Sequence, residues 1–98
     1  MKKKKRKVKI LIMGLPGSGK TYLAKRVVKL LNADWLNADK VRGYYNDWDF
    51  SDAGIIRQVK RMKKLANSSN KKYVVADFIC PYKKQVKIFK PNFIFWMN

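Results

Sequence analysis

The chain has 98 residues, with 24 Lys and Arg against 6 acidic residues, all of them Asp, for a formal net charge of +18 at pH 7. That length allows one domain with a modest core, the single cysteine, Cys80, excludes an internal disulfide and suits a reducing, cytoplasmic compartment, and no run approaches the roughly 18 apolar residues of a membrane span. The charge favours polyanions as partners through counterion release, although lysines spread this diffusely also serve simply as solvated helix faces.

Residues 1–7 form a basic tail and 8–98 the domain. Lys3 to Val8 resembles a short basic nuclear-import signal, but a Lys/Arg run of this length is as easily a tail before a first strand. Val8 to Met13 is that strand: β-branched and nearly continuous in apolar character, as in a strand buried on both faces. It therefore reads as part of the fold rather than as the core of a secretory signal.

Directly after it, Gly14-Leu15-Pro16-Gly17-Ser18-Gly19-Lys20-Thr21 matches GxxxxGK[ST] at every position. Glycines allow successive backbone N–H groups to face phosphate oxygens, and a helix N-terminus adds its positive dipole end. Lys20 reaches the outer phosphates and the Thr21 hydroxyl is placed to ligate Mg²⁺. An ordinary strand-to-helix turn uses similar residues, but here the flanking pattern is right for a phosphate loop: Leu23, Val27 and Leu30/Leu31 recur at helical spacing across Gly19 to Leu31, and Asn32 offers a stop. The motif implies a bound nucleoside triphosphate.

Asp34 to Ala38 reads as a short second strand, followed by a polar, aromatic connection over Gly43 to Asp49. A second helix starts near Ser51 and carries Ile55/Ile56, Val59, Met62 and Leu65/Ala66 at helical spacing, before Asn67-Ser68-Ser69-Asn70 closes it. Tyr73 to Asp77 makes strand three, Pro81 opens a short helix through Phe89, and Phe93 to Met97 is strand four. Alternation of this kind gives an α/β, three-layer fold with a parallel sheet, helices on both faces and ligands at the carboxyl ends of the strands. The run stopping at Asn98 with nothing to cover strand four reads as the N-terminal portion of a larger domain.

Those strand ends carry further candidates. Asp39 either orients Mg²⁺-bound water and accepts a proton from an attacking hydroxyl, or caps a helix. Asp77 is either a second acid for Mg²⁺ or a strand-terminating turn residue. Arg42 follows Asp39 by three positions and suits an anionic second substrate, or else pairs with Asp39 at the surface. Phe50 either plugs the core or stacks on a base.

Gly14–Thr21, Asn37-Ala38-Asp39-Lys40-Val41-Arg42, Asn46, Phe50-Ser51, Asp77-Phe78-Ile79-Cys80-Pro81-Tyr82 and Phe93-Ile94-Phe95-Trp96-Met97, in that order, together resemble adenylylsulfate kinase. The resemblance implies a phosphate-loop kinase that moves the γ-phosphoryl of ATP, with Mg²⁺, to the 3′-hydroxyl of adenosine 5′-phosphosulfate, and it admits a homodimer. It further implies Lys20 and Asp39 in catalysis, Thr21, Asp39 and Asp77 around the metal, and Arg42, Phe50, Ile79 and Cys80 at the acceptor. The chain departs from the family where Gly54-Ile55 replaces Asp-Arg, removing an acceptor-binding arginine, and where Arg57-Gln58 replaces Glu-Asn. Those departures keep two other readings open: a kinase for another small metabolite or a polynucleotide end, and a basic nucleic-acid-binding remnant.

Overall fold

A computed structural model describes residues 7–15, 17–78 and 83–97. Strand β1 (Val8–Gly14) is one of the two inner strands of a four-stranded sheet ordered β2-β3-β1-β4, in which every neighbour pair is parallel. The others are β2 (Asp34–Asn37), β3 (Tyr73–Phe78) and β4 (Phe93–Met97). Because strand side chains alternate, β1 and β3 each feed two cores. Ile10, Ile12 and Val75 pack under α1 (Lys20–Leu31), with Ala24 fully buried and Leu23 and Val27 beside it. Leu11, Val74, Ala76 and Phe78 face the other way. There they meet Val41 of α2 (Ala38–Tyr45), Val59, Met62 and Ala66 of α3 (Asp52–Ser68) and Phe89 of α4 (Lys83–Phe89). The result is the expected three-layer α/β architecture.

The helices end where the sequence provides ends. Asn32 closes α1 in the left-handed region (φ 51°), returning its N–H to the Val28 carbonyl. Ser51 opens α3, its Oγ accepting from the Gly54 N–H at 3.2 Å. The buried Gln58 donates to the Ala38 carbonyl at 3.0 Å and so ties α3 to the start of α2.

Helix α2 is the main departure from the sequence reading, which placed a strand through Ala38 and a connection from Gly43. Strand β2 stops at Asn37, whose side-chain oxygen accepts from the Lys40 N–H at 3.0 Å and caps a helix that runs to Tyr45. Asn37, not Asp39, is therefore the cap. Apolar periodicity was blind to this helix because it is short and because one of its three buried residues, beside Ala38 and Val41, is Arg42.

Strand β4 is an edge strand, and Phe93, Ile94, Phe95 and Trp96 are all exposed. Among the described residues no helix is long and apolar enough to cross a membrane.

Candidate active site

The carboxyl end of β1 runs into the phosphate loop. Gly17 and Gly19 take φ of 79° and 88°, a region that residues with a Cβ enter at a cost of about 1–2 kcal/mol. Gly19 caps α1 without a side-chain acceptor, and the first turn of α1 holds no acid. Its terminal N–H groups and dipole end are thus left for an anion. The Ser18 hydroxyl oxygen points the same way: among the described residues it is the one buried side-chain polar atom with no hydrogen-bond partner. A buried hydroxyl without a partner is costly, and a phosphate oxygen would supply one. The residues therefore fit a bound triphosphate.

Lys20, the first residue of α1, is only 8% exposed. Near it, Asp77 at the end of β3 is 2% exposed. One of its carboxylate oxygens accepts from Trp35 Nε1 at 2.5 Å and the other from Asn37 Nδ2 at 2.9 Å. Burial pushes the Asp77 carboxyl above its ordinary range, the Trp35 and Asn37 donors and the Lys20 charge pull it back, and Asp39 raises it further. Lys20, Asp39 and Asp77 thus lie within electrostatic reach of one another, with Asp39 exposed on the first turn of α2 and Thr21 exposed beside Lys20. Among the described residues no three His, Cys, Asp or Glu side chains gather around a point that would hold a metal ion. A Mg²⁺ here would keep water and phosphate oxygens as most of its ligands, as that ion usually does.

Trp35 and Asn37 were not singled out from the sequence. A signal existed for Asn37, which stands opposite Asp77 in the β2–β3 register, and Trp35 lies two residues earlier on the same face. A partly buried indole N–H also demands an acceptor.

A second constellation follows α2. Arg42 is 6% exposed; its Nη1 donates to the Asp47 and Asp49 carbonyls at 3.0 and 3.3 Å, and its guanidinium lies 4.3 Å from the centre of the Phe50 ring. Two sequence alternatives fall away. Arg42 is not a surface partner of Asp39, and Phe50, 62% exposed, is not a core plug. Arg57 grips Asp47 with two bonds, Nε to Oδ2 at 2.8 Å and Nη2 to Oδ1 at 3.0 Å, and reaches Asp49 at 3.1 Å. Arg61 adds a bond to Asp47 at 3.1 Å. The charge of Arg57 is therefore engaged within the protein.

Hydrogen bonds from Arg57 hold the Asp47 carboxyl well below the usual carboxylate range, Ser51 does the same for Asp49, and Asp47 holds Arg57 above its own. A carboxyl depressed in the folded state stabilises above its unfolded pKa of about 4, and that contribution fades as pH falls further. Asp47→Asn is accordingly expected to lower the Tm at pH 7, with the gap to wild type closing between about pH 4 and pH 2. Thermal unfolding across that range checks it; a gap independent of pH would mean the ionic clasp adds nothing.

Pro16, Ile79, Cys80 and the basic tail over residues 1–6 lie outside the described residues.

Comparison with known proteins agrees with this fold. The model of the family described as adenylylsulphate kinase matches residues 6–93. The Mycobacterium tuberculosis APS kinase CysC, in a complex with AMPPNP and APS, superposes with a TM-score of 0.81 at 22% identity, covering 97% of this chain and 64% of that one. A gluconokinase from Sinorhizobium meliloti 1021 superposes at 0.66 and 14% identity, covering 95% of this chain and 57% of that one. An adenylate kinase isoenzyme 6 homolog from Drosophila melanogaster is 35% identical over 63 residues, which is 60% of this chain and 36% of that protein. The chain thus spans about a third of that curated relative and under two thirds of the APS kinase structure. At these identities the solved structures speak for the fold, which is that of the phosphate-loop kinases. The family match spans most of the sequence, and the chain belongs to the adenylylsulphate kinase family.

Proposed function

We propose that the chain transfers the γ-phosphoryl group of ATP to the 3′-hydroxyl of adenosine 5′-phosphosulfate, as a cytoplasmic step of sulfate assimilation. The observation that carries this is the meeting, at one end of the parallel sheet, of an anion cradle holding an unpartnered Ser18 hydroxyl with Lys20, Asp39 and Asp77. Transfer of a phosphoryl group asks a protein mainly for positioning and charge stabilisation. Loop N–H groups and Lys20 hold the outer phosphates. Asp39, exposed and facing the same region, takes the proton of the acceptor hydroxyl. Asp77 is fixed in orientation by Trp35 and Asn37, and with Thr21 it faces the metal position. Thr21 and Asp77 would hold Mg²⁺, which would offset the charge of the phosphates.

On the acceptor side, among the described residues Arg42 commits only Nη1, to the Asp47 and Asp49 carbonyls, which leaves Nε and Nη2 as donors for a phosphosulfate. Phe50 has one ring face covered by Arg42 and is otherwise exposed, so that a purine has a surface to stack on. Ile79 and Cys80, outside the described residues, are assigned to the acceptor by the family resemblance alone.

One observation favours a second acceptor, a nucleoside monophosphate: the likeness to the Drosophila adenylate kinase isoenzyme 6 homolog, together with Ile55 in place of the family's arginine. ADP release measured with adenosine 5′-phosphosulfate, AMP and oligonucleotide 5′ ends separates the readings. Saturable turnover with the phosphosulfate alone is expected. Turnover with AMP and none with the phosphosulfate would move the chain to nucleoside monophosphate chemistry.

A further inference from the structure

The charge of the chain is not spread evenly over its surface. A groove of about 520 Å³ between α3 and α4 is lined by Lys60, Lys63, Lys64, Asn67, Ser68 and Ile88. No carboxylate lines it, and among the described residues the ion pairs join Arg57 and Arg61 to Asp47 and Asp49, leaving these lysines out. Lys9, partly desolvated, donates to the carbonyl of Phe89, the residue after Ile88, and the charges of Lys63 and Lys90 both act on it and, after burial itself, push its pKa down. Like charges gathered without a counterion destabilise the free protein, and a bound anion relieves them.

The form of the array identifies the anion. Lys60, Lys63, Lys64 and Asn67 sit at helical spacing along one stripe of α3, about 10 Å long at 1.5 Å per residue. A row suits a linear polyanion better than a compact phosphate; it matches about three successive phosphates of one strand at 3.4 Å each. Only Ile88 among the lining residues is apolar, so nothing here enters a lipid layer, and no aromatic ring lines the groove to stack on unpaired bases. The groove is also separate from the phosphate loop, since Lys9 precedes Gly14 along β1 by about 16 Å at strand spacing.

We propose that the lysine-lined groove between α3 and α4 binds the phosphodiester backbone of double-stranded nucleic acid, without regard to sequence, at a site independent of the nucleotide site. The contacts are ammonium to phosphate, which position a duplex and carry no base information.

The test is fluorescence anisotropy of a labelled 20-base-pair DNA duplex of arbitrary sequence, titrated with the full chain at several salt concentrations. Binding with a log–log salt slope of about −3 is expected if the three groove lysines neutralise phosphates. The triple variant K60Q/K63Q/K64Q is expected to bind at least about tenfold more weakly at 100 mM salt, with a slope shallower by about 2–3. K25Q/R26Q/K29Q, which removes as many cations from the exposed side of α1, should lose less than about threefold. K60R/K63R/K64R restores binding if the charges and not a fold defect are responsible. Lys20→Ala leaves duplex binding intact, which keeps this outcome separate from that of the kinase reading. Equal losses in the two Gln triples, failure of the Arg triple to restore binding, or loss of duplex binding in Lys20→Ala would overturn the proposal. So would binding to phosphatidylserine vesicles in place of the duplex.

Discussion

Lys20→Ala is expected to lower phosphoryl transfer by about a thousandfold with the fold intact, the size associated with removing a preorganised charge from developing phosphate charge. Lys20 begins α1 and is nearly buried beside Asp77, so its ammonium is held by packing before any ligand arrives. Nothing else in the described loop brings a cation: Gly14, Leu15, Gly17, Ser18, Gly19 and Thr21 are neutral. Loss of Lys20 also strips Asp77 of a charge that favours its ionised form, so the acid proposed to face Mg²⁺ is weakened as well. ADP release at saturating acceptor is the measurement, with circular dichroism as the check on folding. Activity within threefold of wild type would take Lys20 out of the chemistry.

Gly54→Ala has an expected effect of opposite sign to that of an ordinary helix glycine. Alanine in place of glycine inside a helix normally stabilises by about 0.5–1 kcal/mol. At Gly54, however, a Cβ would lie 2.1 Å from the Asp49 carbonyl oxygen and 2.8 Å from its carbonyl carbon. These are backbone atoms of the segment that carries Phe50 and supplies acceptors to Arg42, and they have nowhere to rotate away. Overpacking of this kind costs about 1–3 kcal/mol, which in a domain of this size lowers the Tm by about 4–20 °C. The displaced segment carries Phe50 and the carbonyls that hold Arg42, the proposed acceptor side, and leaves the phosphate loop alone. The KM for the acceptor is therefore expected to rise several-fold, with the KM for ATP little changed. A variant more stable than wild type would show that the segment moves freely, and the account of Arg42 and Phe50 as a fixed pair would fall.

The parts of the molecule legible in its sequence are those built from local signals. The strand before Gly14, the loop and α1 were readable because apolar runs, glycines and helical spacing all occur within one contiguous stretch. Ser51 as a cap and the apolar stripe of α3 were readable for the same reason. Helix α2 was hidden because a buried arginine holds a position where periodicity looks for an apolar residue, and Arg42 is tolerated there because the carbonyls of Asp47 and Asp49 accept its hydrogen bonds. The Arg57–Asp47 clasp and the Trp35–Asp77 bond join residues brought together only by the turn after α2 and by strand pairing. Residue types announce that such groups need partners; the tertiary fold decides which ones.

The register of the sheet sets the order in which the protein can become competent. Strand β1, first in the chain, finds its neighbours only in the last third of it: Val8 pairs with Tyr73 and Ile10 with Phe93. The end of β4 also reaches the phosphate loop, for Gly14 is opposite Met97, whose carbonyl closes over it. Pairings so distant in sequence make for slow folding, because long loops must close before any contact is gained. A ribosome therefore exposes the complete glycine-rich motif well before the strands that brace it exist. During synthesis the loop is a flexible segment in search of a scaffold, and nucleotide affinity marks the moment when β3 and β4 have joined the sheet.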